Sequence, residues 1–313
     1  MRVLVTGAGG YIGSGLVAVL QADGWDVRAQ VRHPAPHLDV EQTVSELDGD
    51  GGTVEAAFEG VDTVVHLAGE NEVVAARNPA ATLASTLMAT ERVVQNAAAA
   101  HVKRLVYMST VHVYGERMIE GAELTEDLRP EPRATYAITR LASEHIAASL
   151  ASRGADVVVF RLTNSVGAPA DPMVDRWTLV ANDLCRQGAT SGRLELLSSG
   201  VQWRDFVPLR DVRTIVTAAC RFEDPILPAG RYNLGSGTPT TVRQLAELIQ
   251  NTFERCTGER PELHAPEPGP DRPEPYHVSV ARLADKGLRA ETPLEAAVEE
   301  TVRFCVEQRE ALR

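Results

Sequence analysis

TGAGGYIGSG, Thr6–Gly15, is the stretch that decides the fold. An apolar run, RVLVT, precedes it, and GSGLVAVLQADG carries apolar residues at helical spacing as far as Gly24. Gly7, Gly10 and Gly13 stand in GxxGxxG register between the two. Glycines there permit a tight turn and bring backbone N–H groups close to a pyrophosphate at a helix N-terminus, where the peptide dipoles favour an anion. Gly7, Gly10, Tyr11, Ile12 and Gly13 are therefore candidate cofactor contacts. A glycine-rich turn with no ligand is the plainer reading of such a motif in isolation. A strand on one side and a helix on the other favour the dinucleotide.

Working outward, DVRAQV reads as a second strand, TVEAAFEG as a short helix ending at Gly60, and DTVVHLAG as a third strand. An alanine-rich helix follows from about Ala80 to Ala100, then the strand KRLVYMST, a helix after Tyr136 and the strand ADVVVFRL. Near-continuous apolar strands alternating with helices predict an α/β fold, a doubly wound parallel sheet of Rossmann type covered on both faces. Residues 1–165 are expected to form the NAD(P)-binding domain, with segments near 203–236 returning to it. Residues 166–313 are expected to form mainly a smaller C-terminal α/β substrate lobe over the strand ends. In that half, VDRWTLVANDLCRQG reads as a helix, LELLSSG as strand and turn, and VRQLAELIQNTFERCTG as an amphipathic helix stopped at Gly258. Six prolines between Pro261 and Pro275 predict a loop. PLEAAVEETVRFCVEQ reads as a closing helix with a solvated acidic face.

The formal net charge of −12 over 313 residues argues against a general nucleic-acid binder, which needs a basic face. Four widely spaced cysteines form no CxxC pair, and no His, Cys or carboxylate cluster has metal-ligand spacing. Reduced thiols, no leader before the first strand and no long apolar span together predict a cytoplasmic protein without a membrane partner. The end of the second strand bears on the cofactor. An acid there grips a ribose 2′-hydroxyl, whereas arginine suits a 2′-phosphate. Val31 stands where the acid is expected and Arg32 follows, which favours NADP without excluding NAD. Asp48 is a candidate for the adenine amino group, with Asp50 an equally placed turn acid.

TYAITR, Thr135–Arg140, carries the candidate chemistry. Tyr136 and Arg140 are four apart and share a helix face. A phenol titrates near pH 10 in water, so a tyrosine working as acid or base near neutrality needs a cation beside it. Arg140 supplies a permanent charge and can hydrogen-bond a nicotinamide ribose, but it cannot release a proton into a relay as lysine can. Taken singly, the pair reads as a surface tyrosine with an arginine one turn on. VYMSTVHVYG changes that weighting, because Thr110 or Ser109 at the end of a strand offers a hydroxyl to a substrate oxygen. A hydroxyl donor, a tyrosine and a cation beside nicotinamide make a hydride-transfer site. His112, close to Thr110, fits either a pH-sensitive donor or, the more frequent case, a satisfied group at a strand end, and His66 reads as structural. Trp177 and Trp203 fit either a pocket or the core of the lobe. Arg161 and Arg176 are able to pair locally.

Together these segments resemble the extended branch of the short-chain dehydrogenase/reductase family, in particular its sugar-nucleotide epimerases, dehydratases and reductases. TGAGGYIGSG resembles the family's dinucleotide loop. GVDTVVHLAG is similar to its fourth-strand segment and implies Leu67, Ala68 and Gly69 beside the cofactor. MSTVHVYG resembles the catalytic strand and places the catalytic hydroxyl on Thr110. YAITRLASEHIA resembles the YxxxK helix, which makes Tyr136 and Arg140 catalytic and cofactor-binding. RLTNSVGAP and GVQWRDFVPLRDV resemble the segments in which Asn164 and Arg204 would touch a substrate diphosphate. The departures are as informative. Arg140 replaces the family's lysine, and Thr86 stands where asparagine is usual. Val111 and His112 stand where the 4,6-dehydratases carry an Asp-Glu pair, which sets dehydratase aside. Pro268, near Asp271, occupies the slot of a diphosphate-clamping arginine.

The resemblance implies an NAD(P)-dependent enzyme acting on a secondary alcohol or ketone of a nucleotide sugar, with Tyr136 as acid or base and Thr110, with Ser109, orienting the reacting oxygen. Its epimerase-like segments place sugar-nucleotide epimerase first. Arg32 favours an NADPH-dependent 4-ketoreductase. Pro268 keeps open a same-fold oxidoreductase on a non-nucleotide carbonyl, and Arg140 keeps open a cofactor-binding protein without turnover. The family's pairing of the alanine-rich and tyrosine helices implies a homodimer.

Overall fold

The computed structural model describes residues 1–49, 53–270 and 273–313. Asp50 and Asp271 lie outside the described residues. The chain runs β1 (Arg2–Thr6), α1 (Tyr11–Ala22), β2 (Asp26–Val31), β3 (Glu41–Val44), α2 (Thr53–Ala56), β4 (Thr63–His66), α3 (Glu72–Arg77), α4 (Pro79–Ala99) and β5 (Arg104–Thr110). It continues through β6 (Glu123–Leu124), α5 (Thr135–Ala148), β7 (Asp156–Leu162), β8 (Asn164–Val166), α6 (Val180–Ser191), β9 (Arg193–Glu195), β10 (Trp203–Pro208) and α7 (Leu209–Ala219). β11 (Gly230–Leu234), β12 (Pro239–Thr241), α8 (Val242–Thr257), β13 (Glu262–His264), β14 (His277–Val278), α9 (Ala281–Ala284) and α10 (Leu294–Glu307) complete it.

The main sheet has seven parallel strands in the order β11-β7-β5-β4-β1-β2-β3. Its interior strands are apolar on both faces because both faces are covered. Val3 and Val5 of β1 point into one core with Leu16 of α1 and Val212 of α7, while Leu4 points into the other with Val93 of α4 and Ala147 of α5. The chain winds one way from β1 to β3 and the other way from β4 to β11. The switch point therefore lies where the C-terminal ends of β1 and β4 separate, and open α/β sheets bind ligands at that crevice. A third core, with Leu184 and Cys185 of α6, Ile249 and Phe253 of α8, and Val298 and Val302 of α10, belongs to the second half of the chain. The three-stranded sheet β12-β10-β8 and the strand pair β13-β9 lie beside it.

Caps explain several boundaries. Asn78 accepts from the Ala81 N–H at 3.3 Å and Pro79 opens α4, where a missing N–H costs nothing. Thr241 and Gln244 form a reciprocal capping box on α8, which ends at the left-handed Gly258.

Three expectations are corrected. The helix foreseen from Val174 begins only at Val180. Asp171 captures the Met173 N–H at 2.8 Å, and the Trp177 indole donates to Pro172 O at 3.3 Å, so local side-chain bonds hold 171–177 in turns. The proline-rich segment contains the strand β13. Its prolines stand outside Glu262–His264, where no ladder donor is needed, and Leu263 pairs with Leu194. The helix foreseen up to Gly60 is a single turn over Thr53–Ala56, followed by turns in which the Phe58 N–H donates to Glu55 O. The edge strand β3 had no anticipated counterpart. Gln42 holds it by hydrogen bonds to both backbone groups of Ala35, at 3.0 and 2.9 Å.

Candidate active site

A groove of about 780 Å³ opens at the switch point, a size suited to an extended small molecule. Gly7, Gly10 and Tyr11 line its floor, Arg32 and Asp48 one end, and Leu67, Ala68 and Gly69 the opposite wall. Two features fit it to a dinucleotide. Gly7 has φ +69, and a Cβ there would stand 2.9 Å from Ala68 N, so only glycine lets the loop close against the end of β4. No side chain caps α1 and its first turn carries no carboxylate, so the positive end of its dipole meets the groove at Gly10 and Tyr11 uncompensated.

Gly13 and Ile12 do not line the groove. A Cβ on Gly13 would meet Gly7 O at 2.5 Å, so its role is to seat the first turn of α1 on the loop, and Ile12 packs on the core. Tyr11 lines the groove while its hydroxyl donates to Gly167 O at 2.8 Å, tying the glycine loop to the second half of the chain. Burial pushes that phenol well above its ordinary range. Gln30 had no counterpart among the expected residues. Its side chain accepts from Gly7 N at 3.3 Å and donates to Ser45 O at 2.6 Å, which locks the loop to β2.

Arg32 is exposed at the rim and paired with Glu70 at 3.1 Å. His33 and His37 lie on the same rim. Thr86 also lines the groove, and its hydroxyl accepts from Glu70 N at 3.4 Å.

Gly69 joins this groove to the tyrosine helix. Its φ is +145, and a Cβ there would stand 2.8 Å from Arg140 Nη1. The Arg140 guanidinium is buried, lies over the Tyr136 ring at 5.4 Å and donates through Nη2 to Glu70 O at 3.2 Å. Nη1 is buried with no hydrogen-bond partner, and so is the hydroxyl of Tyr107. Burial opposes the Arg140 charge, yet the phenols of Tyr136 and Tyr107 outweigh it and hold the cation above its ordinary range. The guanidinium lies behind Gly69, which lines the groove, so its charge acts on the groove and on the Tyr136 phenol from beneath. When bound, a nicotinamide cofactor supplies or accepts the hydride.

Thr110 ends β5, buried, and its hydroxyl accepts from His112 N at 3.2 Å. Ser109 is corrected. Its hydroxyl donates to Glu144 at 2.6 Å inside a buried pair in which Arg161 grips the same carboxylate at 3.0 and 2.8 Å, so it has no hydrogen to offer a substrate. Arg161 therefore pairs 17 residues away, and Arg176 pairs with Glu72 at 3.3 and 3.0 Å across 104 residues, so neither ion pair is local. Burial alone would raise Glu72, but Arg176 outweighs it and holds the carboxyl below its ordinary range.

His112 is corrected as well. Among the described residues nothing hydrogen-bonds its ring, which is exposed to the cleft and meets the Tyr136 ring edge-on at 6.4 Å between centroids. Partial desolvation lowers its pKa although the ring keeps contact with solvent, and the Arg204 cation lowers it further against the opposing charge of Glu72. His66 is structural, buried between Thr6 at 2.7 Å and Thr90 at 3.2 Å, and burial pushes it down to about 3.

Arg204 is half-buried beside His112 and Tyr276. The neighbouring Asp205, not singled out from the sequence, fixes its strand by accepting from Thr163 at 2.8 Å, Ser236 N at 2.8 Å and Gly237 N at 2.7 Å. Asn164 donates to Asp205 O at 3.0 Å in the same layer. Trp177 stacks on Phe304 at 6.4 Å, and Trp203 donates to Pro273 O at 2.7 Å, so both aromatics serve the lobe. Pro268 is half-buried in its loop.

A glycine-loop groove at the switch point of a doubly wound sheet is the place where such sheets bind a dinucleotide; Gly69 lines that groove and abuts the Arg140 guanidinium, while Thr110, Tyr136, Asn164 and Arg204 stand outside its lining. The family model described as the NAD dependent epimerase/dehydratase family matches residues 3–235, and the chain belongs to that family, of the extended short-chain dehydrogenase/reductase type. The GDP-6-deoxy-D-mannose reductase of Pseudomonas aeruginosa is 31% identical over 254 residues, which cover 79% of each chain. The Thermus thermophilus UDP-glucose 4-epimerase in complex with NAD superposes with a TM-score of 0.82 at 26% identity, over 97% of this chain and 99% of that one. RMD from Pseudomonas aeruginosa complexed with NADPH gives 0.78 at 25% identity, over 98% and 99%. Among the described residues no helix is long and apolar enough to cross a membrane.

Proposed function

We propose that this chain is an NADP(H)-dependent oxidoreductase that reduces a ketone, or oxidises the matching secondary alcohol, on the sugar of a nucleotide-activated hexose. The observation that carries the reading is Arg32, an exposed cation at the end of β2 where Val31 leaves no carboxylate for a ribose hydroxyl. Its pair with Glu70 is solvent-exposed and gives way to a 2′-phosphate at little cost. A groove that selects the phosphorylated cofactor suits net reduction with cofactor exchange at each turnover. The relatives named as a reductase and as an NADPH complex support it. In this reading Tyr136 gives or takes the proton on the reacting oxygen, Thr110 orients that oxygen, and Arg140 holds the nicotinamide ribose and steadies the phenolate. Arg204 and Asn164 face the substrate diphosphate.

The test is a nucleotide-linked 4-keto-6-deoxyhexose incubated with NADPH or NADH. Stoichiometric loss of reduced nicotinamide and a product heavier by a hydride and a proton are expected, with Arg32→Ala weakening NADPH binding by about tenfold and leaving NADH unchanged, as loss of one charge-assisted contact implies. Equal use of both cofactors by the unmodified chain, unaffected by Arg32→Ala, overturns the cofactor assignment.

The second reading is the sugar-nucleotide epimerase, favoured by Arg140. An arginine that cannot release a proton suits a closed cycle, in which Tyr136 returns to the substrate the proton it removed and the cofactor stays bound. Interconversion of epimers with no net nicotinamide consumed selects it.

A further inference from the structure

The buried arginine creates a problem for net reduction that the structure also answers. Each ketone reduced removes one proton from the Tyr136 hydroxyl, and that proton must be replaced from water. Arg140 is sealed beneath Gly69 and Tyr136, is held above its ordinary range by the surrounding phenols, and has no proton to give at any physiological pH. Tyr107, the other hydroxyl near that cation, is fully buried. The buried histidine, His66, is closed between two threonines.

We propose that His112 is the proton-transfer residue that re-protonates Tyr136 from solvent, the task a relaying lysine would otherwise perform. The inference rests on the reductase reading. The imidazole meets the Tyr136 ring edge-on at 6.4 Å, its nitrogens are free of protein partners among the described residues, and it opens onto the cleft. Its backbone N–H is tied to the Thr110 hydroxyl at 3.2 Å, so the strand that carries the substrate-orienting oxygen also holds the histidine in place. Arg204 of β10 and Glu72 of α3 are the charged groups facing it, with Glu72 in turn held by Arg176, and Tyr136 of α5 completes its surroundings.

The step balances. The Tyr136 O–H bond breaks as its proton passes to the substrate carbonyl oxygen, while hydride comes from the reduced nicotinamide. The phenolate then takes a proton from the protonated imidazole, directly or through one water, and the neutral imidazole takes its replacement from solvent. Near neutrality the ring is mostly unprotonated, because partial desolvation and Arg204 both disfavour the imidazolium. That suits a courier, which must accept from water as readily as it donates.

His112→Gln and His112→Ala test this, both at an exposed position where no core cavity is made. In NADPH-driven ketone reduction the turnover number is expected to fall about tenfold or more, and the slowing of the unmodified chain as rising pH removes the imidazolium should flatten in both variants. A solvent deuterium isotope effect should grow, and added imidazole should restore His112→Ala. A second readout needs no turnover. In the cofactor-free protein, the NMR resonances of the His112 ring should move on Tyr136→Phe, because the two rings meet edge-on. An unchanged pH profile and isotope effect in both variants, a loss that imidazole does not restore, or His112 ring resonances indifferent to Tyr136→Phe overturns the proposal while leaving the reductase reading intact. If the unmodified chain interconverts epimers without consuming NADPH, the reductase reading itself has failed, and this inference with it.

Discussion

Two buried arginines meet the tyrosine helix, and they have opposite surroundings. Arg161 reaches Glu144 and grips both carboxylate oxygens, with Ser109 adding a third bond to the same group and the Tyr114 ring 4.9 Å from the guanidinium. Arg140, one turn earlier on α5 than Glu144, has no carboxylate. It has one backbone carbonyl and a phenol ring; each of the two guanidinium groups leaves a buried Nη1 without a hydrogen-bond partner, so the difference between them is the carboxylate. A buried charge is costly unless paired. The first arginine satisfies that rule within the protein and so is architecture. The second leaves it unsatisfied beside a ligand groove, and a chain tolerates that where a ligand or a reaction completes the pairing.

The contrast can be broken from either side. The largest effect is expected from Glu144→Ala, which strands Arg161 in the core. Removing one partner of a buried pair costs about 3–5 kcal/mol. Chemical denaturation should show that loss, and a change below the error of the method would mean that Arg161 is not held by charge. Next comes Tyr136→Phe, which keeps the ring under Arg140 and removes only the acid/base hydroxyl. Turnover should fall about 10²–10³-fold with cofactor affinity kept, as for loss of a general acid. Full activity removes tyrosine from the mechanism. The smallest effect is expected from Gly69→Ala. The new methyl meets the Arg140 guanidinium at a backbone angle that favours glycine, a strain of about 1–3 kcal/mol. Cofactor binding, measured by calorimetry, should weaken more than the melting temperature falls. The reverse order would make Gly69 a stability residue and not the lining of a site.

Much of the site was legible before the fold was known, and the parts that were not share a cause. The glycine loop, the strand carrying Thr110 and the pair Tyr136–Arg140 are each contained in ten residues or fewer, and their chemistry follows from spacing. Ser109 and His112 were misjudged because their meaning lies in partners. Glu144, which claims the Ser109 hydroxyl, is 35 residues away. The openness of His112 depends on what the second half of the chain leaves uncovered. Asp205 and Gln30 gave no sign in sequence, since a lone polar residue in a strand looks the same whether it faces water or clamps a turn.

By itself, then, the order of residues determined the alternation of strand and helix, the crevice at the sheet's switch point and the glycine loop that lines it. All of these follow from local periodicity and from what glycine, proline and capping side chains do to their own neighbours. Only tertiary packing decided which arginine meets a carboxylate and which does not, that Arg176 crosses to Glu72, and that the His112 ring stays exposed beside Tyr136. Pairing of charges and exclusion of solvent depend on distances between segments, and those distances exist only once the cores have closed.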